Sequence, residues 1–395
     1  MKTVQIKNDI YWVGVNDHET YLFEGMWPID QDGVAYNAYI INDDKVAVVD
    51  TVKSFKQGEY IEKIKSVIGD KKVDYLIVNH MEPDHSSSIA DLLAVYPDMQ
   101  IIGNKKTFPI MKNFYNIDKN ILEVADGDTL DLGHHELQFY MTPMVHWPES
   151  MVTYDATDKV LFSMDVFGSF GSTDGSIFDD ENDVASYEDI TRRYYACIVG
   201  KVSGQAQKAL QKLGPLDIQT ICPSHGLIWR SNPGYIVDFY DRMSRYETEE
   251  GVVIAYGTMY GNTLHSAELL AGYLKDAGVK TVKLFDVSKT DISYIVSDMW
   301  KYKGLILGAP AYYGRIFPKM ANLLYKVEEI GIKNHKVGFF TDFSWSNGAD
   351  RYFNAFTEKA KADVVGDMVN VQGLADAEDE AKLKALADAM AAAIK

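Results

Sequence analysis

The apolar residues of this chain fall in short runs, and the spacing of those runs changes partway along. From Thr3 to Val15 and from Tyr36 to Asp50 they are rich in Val, Ile and Tyr, and the second run breaks at Asn42-Asp43-Asp44. Such runs, interrupted by Asn and Asp, predict strands with a hairpin at the break. A charged helical stretch over Phe55 to Val67 comes next, then apolar strands at Val73 to Val78 and Ile101-Ile102-Gly103. Shorter strands are predicted at Leu137 to Met141, Met151 to Tyr154, Val160 to Met164 and Ile218 to Cys222, with one long helix over Tyr187 to Leu213. Two β-rich stretches with helices between them predict helices covering a sheet sandwich. From Gly251 onward the alternation becomes regular, with strands at Val252 to Tyr256, Val282 to Phe285, Leu305 to Leu307, Val337 to Phe340 and Val364 to Val371, and an alanine-rich helix at the end. Five strands alternating with helices predict a doubly wound parallel sheet. The chain is therefore expected to be α/β in two domains, 1–248 and 249–395, with no low-complexity linker between them.

Composition narrows the chemistry. The 395 residues suit two domains of ordinary size, and 47% hydrophobic with 24% charged residues is the balance of a globular protein. A net charge of −18 argues against nucleic acid and anionic membrane surfaces as partners. The two cysteines, Cys197 and Cys222, make no CxxC pair, so this sequence holds no disulfide framework, zinc ribbon or rubredoxin-type iron. No apolar signal core opens the chain and no apolar run approaches membrane-spanning length, which makes a cytoplasmic location the expectation.

The strand Val73 to Val78 runs straight into Asn79-His80-Met81-Glu82-Pro83-Asp84-His85. Ionisable groups gathered at the end of a buried strand cost free energy unless something compensates them, and a metal is the common way. A solvated loop with a helix cap would need one of His80, Glu82, Asp84 and His85, not all four. Three more candidates follow short apolar strands: His146, Asp165 and His225. Four imidazoles and three carboxylates suffice for two metals sharing a bridging carboxylate. Mixed nitrogen and oxygen donors without thiolate suit zinc, manganese or iron. His18, His134, His135, His265 and His335 lie in polar or turn contexts and receive no role.

The order H-x-E-x-D-H followed by His, Asp and His at strand ends resembles the metallo-β-lactamase superfamily, whose hydrolases carry H-x-H-x-D-H and bind zinc. Here Glu82 replaces the second histidine, which hardens the site toward iron. This variant is the pattern of the flavodiiron proteins. Tyr36-Asn37-Ala38-Tyr39, His146-Trp147-Pro148-Glu149-Ser150-Met151 and Pro223-Ser224-His225-Gly226 match it as well. The resemblance implies that the first domain is a metallo-β-lactamase-like αββα sandwich. It further implies that one iron takes His80, Glu82 and His146, that the other takes Asp84, His85 and His225, and that Asp165 bridges them. Many relatives read Phe-His-Gly near the N-terminus, where this chain has Phe23-Glu24-Gly25.

In the second domain Thr258-Met259-Tyr260-Gly261-Asn262-Thr263 lies between a strand and a helix. Hydroxyls, small residues and free amides at a helix start make a phosphate cradle, although an ordinary capped turn has the same ingredients. The next strands end in Pro310-Ala311-Tyr312-Tyr313-Gly314 and Ser344-Trp345-Ser346-Asn347-Gly348, at carboxyl ends where parallel sheets bind ligands. Both supply aromatics to flank a flat ring. An uncharged phosphate loop with two such loops looks like a five-stranded flavodoxin, and thus FMN.

An FMN domain fused to a non-haem diiron domain is expected to be an oxidoreductase reducing dioxygen to water, with nitric oxide to nitrous oxide as the alternative. Tyr194 or Tyr195 is expected to line the gas pocket and supply a hydrogen bond. The resemblance implies a head-to-tail homodimer or dimer of dimers. It also implies an external electron donor, rubredoxin first and coenzyme F420 second. The readings from other classes are a zinc hydrolase carrying a flavodoxin domain, against which Glu82 and the flavin loops speak, and a pure electron carrier with a dead metal domain.

Overall fold

The computed structural model describes residues 2–395 and divides the chain into two compact units, Met1–Ser244 and Arg245–Lys395. The division falls a few residues ahead of the expected 248/249 boundary.

In the first unit the predicted hairpin forms by antiparallel pairing of Tyr39–Asn42 with Val46–Val49, Asn42 facing Val46. The strand Val46–Val49 then pairs in parallel with Tyr75–Ile77, which pairs with Gln100–Gly103. These strands belong to a seven-stranded sheet, and a second sheet of five strands includes Glu136–Met141, Met151–Asp155, Val160–Met164 and Thr220–Pro223. The core between them joins Trp12, Tyr39, Val49 and Ile77 from the first sheet to Phe139, Met151, Phe162 and Cys222 from the second. Burial of such side chains, worth about 1.5–3 kcal/mol each, is what drives the two sheets together. Polar strand ends then project from one rim of an apolar sandwich, and those ends carry the histidines and carboxylates.

The long helix expected over Tyr187 to Leu213 is not continuous. An α-helix spans Val184–Tyr194, a π turn Tyr195–Val199, a 3-10 turn Gly200–Val202, and a second α-helix Ser203–Leu213. Apolar spacing persists through the break, so periodicity alone reads it as one helix. The wider turn shifts the phase of the residues that follow it, a device common at functional sites.

The second unit is a parallel sheet in the order Val282–Asp286, Glu249–Tyr256, Tyr302–Tyr312, Lys336–Phe343, with Asp363–Val364 and Val369–Gln372 sharing the far edge. The last predicted strand is thus two short pieces. Strand order reverses between Glu249–Tyr256 and Tyr302–Tyr312, and ligands bind outside the carboxyl ends at such a switch point.

Candidate metal centre and flavin cavity

The strand Tyr75–Ile77 ends just ahead of His80, and a short helix, Pro83–Ser86, carries Asp84 and His85. Asp165 follows Val160–Met164, and His225 follows Thr220–Pro223. Two sheets closing at one rim bring these four chain segments and His146 together. The ligand-type atoms of His80, Glu82, His146 and Asp165 all lie within 4.8 Å of one another, as do those of Asp84, His85 and His225. Asp165 joins the groups. Its Oδ2 lies 3.3 Å from His80 Nε2 and 3.2 Å from His146 Nε2, while its Oδ1 lies 3.1 Å from His85 Nε2 and 3.5 Å from His225 Nε2. Glu82 Oε2 stands 2.9 Å from His146 Nε2, and Asp84 Oδ2 stands 3.3 Å from His225 Nε2.

This donor set fits two cations. Apart from the facing ring nitrogens, both oxygens of Asp84 and Asp165 are buried without a partner. His80 Nδ1 bonds Glu149 and His225 Nδ1 bonds the Ala35 carbonyl, each at 2.8 Å, so both rings aim Nε2 lone pairs inward. His85 Nε2 and His225 Nε2 face each other at 3.0 Å, two lone-pair sites converging on one point. Burial works against charge on these rings, but the carboxylates outweigh it: Asp84 and Asp165 push His85 to about 9, and Asp165 with Glu82 pushes His146 to about 9. The same carboxylates that favour a proton on these rings would favour a metal cation there, with the proton released as the metal binds. His135, Asp155 and Asp158 also cluster, but Asp155 caps the turn through the Thr157 and Asp158 amides and Asp158 bonds Asn8, which is a folded turn lock.

The two tyrosines part company. Tyr194 is fully buried with its ring 5.5 Å from that of His225, and its hydroxyl has no partner. Tyr195 turns away; its hydroxyl pairs with Ser203 Oγ at 2.9 Å and its ring packs on Tyr240. Two neighbours of the centre were not singled out as site residues from sequence. Glu149 stands behind His80, inside a stretch read for its pattern alone. Glu24 bonds Trp27 Nε1 at 3.0 Å, and burial together with Glu82 raises its carboxyl to about 7.

In the second unit the loop ahead of the helix Asn262–Asp276 is closed by the Gly261 amide donating to Thr258 Oγ1 at 3.1 Å, with Gly261 at φ 103°. A cavity of about 460 Å³ lies beside it, a size that suits a flavin. Met259, Tyr260, Asn262 and Thr263 line it from this loop, Pro310, Ala311, Tyr313 and Gly314 from the second, and Ser344, Trp345 and Ser346 from the third. Thr258, Gly261, Tyr312, Asn347 and Gly348, also expected at the flavin, are not among the lining residues. Asn347 ties its loop to Thr341 and Asn370, and Gly348 lets that loop touch Gly314. Asp342, Phe343 and Gly373 also line the cavity and were missed. The signal for Asp342 was its place at the end of a parallel strand.

Residues 34–226 match the family model described as ODP family beta lactamase, and residues 254–385 match that of flavodoxin. A nitric oxide reductase of Moorella thermoacetica is 34% identical over 368 residues, which is 92% of each chain. An anaerobic nitric oxide reductase flavorubredoxin of Salmonella paratyphi B is 34% identical over 352 residues, 88% of this chain and 73% of that protein. The rubredoxin:oxygen oxidoreductase structure of Desulfovibrio gigas superposes with a TM-score of 0.96 at 31% identity, covering 100% of this chain and 98% of that one. The flavodiiron protein of Giardia intestinalis superposes with a TM-score of 0.93 at 28% identity, covering 100% and 97%. With paired domains, a donor set for two cations and relatives that align along nearly its whole length, the chain belongs to the flavodiiron proteins.

Proposed function

We propose that this oxidoreductase reduces dioxygen to water, with nitric oxide as a second substrate, at a diiron site supplied with electrons through FMN. The observation that carries the reading is Asp165, whose two oxygens each face a different pair of imidazoles. In this reading His80, Glu82 and His146 would hold one iron and Asp84, His85 and His225 the other, with Asp165 shared between them. Two iron(II) ions would supply two electrons and the reduced flavin two more, against four for dioxygen to two waters and two for a pair of nitric oxides to nitrous oxide and water.

The chain's own residues do the positioning. Phe23 and Tyr194 pack their rings 5.4 and 5.5 Å from that of His225, which keeps bulk water from this side of the centre. Burial, with Asp165 adding to it, pushes the Tyr194 phenol well above its ordinary range. It therefore keeps its proton at working pH and can offer it as a hydrogen bond, so Tyr194 alone carries the role expected of the tyrosine pair. Thr258 to Thr263 is assigned to the FMN phosphate, and the loops from Pro310 and Ser344 to the ring system.

Three further assignments belong to the same proposal. Tyr260, Tyr313 and Trp345 at the cavity are 91%, 89% and 91% exposed, an apolar face that a head-to-tail homodimer would cover; light scattering of the loaded protein gives the mass. The electron donor in this proposal is external, rubredoxin before coenzyme F420, a choice supported by the name of the rubredoxin:oxygen oxidoreductase that the chain resembles. The buried Cys197 and Cys222 suit the reducing cytoplasm.

The decisive test reduces the iron- and FMN-loaded protein with excess donor and follows both gases at electrodes in parallel. Fast dioxygen loss without peroxide, with slow nitric oxide loss, supports the proposal. The reverse ratio gives the second reading, a nitric oxide reductase, which the names of the Moorella and Salmonella relatives favour. Zinc without iron in native protein, with neither gas consumed, would return the chain to the hydrolases.

A further inference from the structure

Among the described residues, the flavin cavity is lined by a single side chain of ordinary acidic or basic charge, and it touches the loop assigned to the phosphate. Asp342, in the strand Lys336–Phe343, is 8% exposed; its Oδ2 accepts from Thr263 Oγ1 at 3.2 Å, and the Gly373 amide supplies a second bond. Thr263 is the second residue of the helix Asn262–Asp276 and is itself buried.

A hydroxyl owns one hydrogen and two lone pairs. While Asp342 is ionised, the Thr263 hydrogen is spent on its carboxylate. An incoming phosphate then meets an oxygen lone pair with a negative charge behind it, and both repel it. Once Asp342 carries a proton, its own O–H can donate to Thr263 Oγ1, and the threonine hydrogen is free to turn to the phosphate.

We propose that Asp342 and Thr263 form a proton-linked relay for the FMN phosphate, so that FMN binding draws one proton onto the Asp342 carboxyl. The proposal rests on reading Thr258 to Thr263 as the phosphate loop. The other residues that line the cavity are neutral, among them Asn262 from the helix, Pro310, Ala311 and Tyr313 from the second loop, Ser344 from its own loop and Gly373, and no charged side chain is among the groups that act on Asp342. Arg351 bonds the Gly314 carbonyl at 2.6 Å but does not line the cavity. With no cation facing it, the carboxyl is raised above its ordinary range by burial, against the Thr263 and Gly373 bonds. A bound phosphate raises it further. Affinity for FMN should therefore fall as pH climbs through the Asp342 range, by up to about tenfold per pH unit between the free and bound values.

The experiment strips flavin from the full chain and titrates FMN and riboflavin by fluorescence quenching from acid to alkaline pH. Wild type is compared with Asp342→Asn, whose amide donates to Thr263 at every pH, and with Gly261→Ala, which strains the loop at its positive φ. The phosphate's own ionisation is common to all and cancels in ratios. Asp342→Asn should match wild type for FMN in acid and bind it at least about tenfold tighter in alkali, with riboflavin unaffected. Calorimetry in buffers of different ionisation enthalpy should find proton uptake in wild type and none in the variant. A ratio that stays flat with pH, or riboflavin shifting as much as FMN, overturns the relay. If Gly261→Ala leaves the preference for FMN over riboflavin intact, the loop assignment itself fails. If it erodes that preference while the Asp342→Asn ratio stays flat, only the relay fails.

Discussion

Glu149 holds His80 from behind: its Oε1 lies 2.8 Å from His80 Nδ1, and the same oxygen accepts the Met81 amide at 2.9 Å. The bond fixes the proton on Nδ1 and leaves Nε2 to face Glu82 and Asp165. The equivalent bond from His225 goes to a neutral carbonyl, and His85 Nδ1 has no partner at all. A carboxylate behind an imidazole makes it the stronger ligand, so the two proposed metal positions should be unequal.

Glu149→Gln tests this directly, because the amide oxygen can still accept both bonds while the charge is lost. Iron affinity at the His80 position should fall about 10- to 100-fold in chelator competition, with far-ultraviolet circular dichroism unchanged. Unaltered affinity would reduce Glu149 to an anchor for the Met81 amide.

The contrast between Glu149 and its neighbour His146 shows what a sequence exposes. The seven ligand candidates were legible because each ends or closely follows a short apolar strand, and strand ends at a sheet rim converge. Glu149 lies three residues past His146, yet its partner His80 is 69 residues away, and no local pattern encodes that pairing. Tyr194 and Tyr195 were indistinguishable for a related reason. The π turn that begins at Tyr195 sets which ring faces His225, and hydrophobic spacing does not register a wider turn. The flavin loops were found from glycines and aromatics, whereas Asp342 was passed over because it sits in the strand rather than in the loop that follows it.

Two histidines outside the metal centre should give the units opposite pH responses. Burial lowers the pKa of His335, whose Nε2 donates to the Met299 carbonyl at 2.7 Å. A base with a depressed folded pKa stabilises the fold above its unfolded value of 6.5 and loses that contribution as pH falls. For His135 burial is outweighed by Asp155, 3.0 Å from its Nδ1, and the pKa is raised; its contribution is full below 6.5 and lost as pH rises through the folded value. Amide exchange resolved by peptide should show the second unit loosening in acid, less so in His335→Gln. It should show the turn at Asp155–Asp158 loosening in alkali, with that response absent in His135→Gln.

Gly348 is where two flavin loops touch. A Cβ there would stand 2.3 Å from the Gly314 carbonyl oxygen and 2.4 Å from its carbon, which no rotamer can relieve. Gly348→Ala should force the loops apart at a cost of about 1–3 kcal/mol, read as a roughly five- to 150-fold weaker flavin Kd by fluorescence. Iron content in the other unit should not change.

Tyr194 keeps a hydroxyl that the fold would do better without. The oxygen is fully buried among Phe23, Phe170 and His225 and bonds nothing, a state that costs about 1–3 kcal/mol. Tyr194→Phe keeps the ring and removes the unpaired group, so the melting temperature should hold or rise. If the hydroxyl is retained to offer its proton at the diiron centre, turnover of the preferred gas should fall on the order of 10²-fold in the same variant, with iron and flavin content intact. A stabilised protein with full turnover would show instead that the hydroxyl has no part in the reaction. A destabilised one would mean that it has a bonding partner when the metals are bound, and amide exchange of the loaded protein with and without substrate would then identify which segment supplies it.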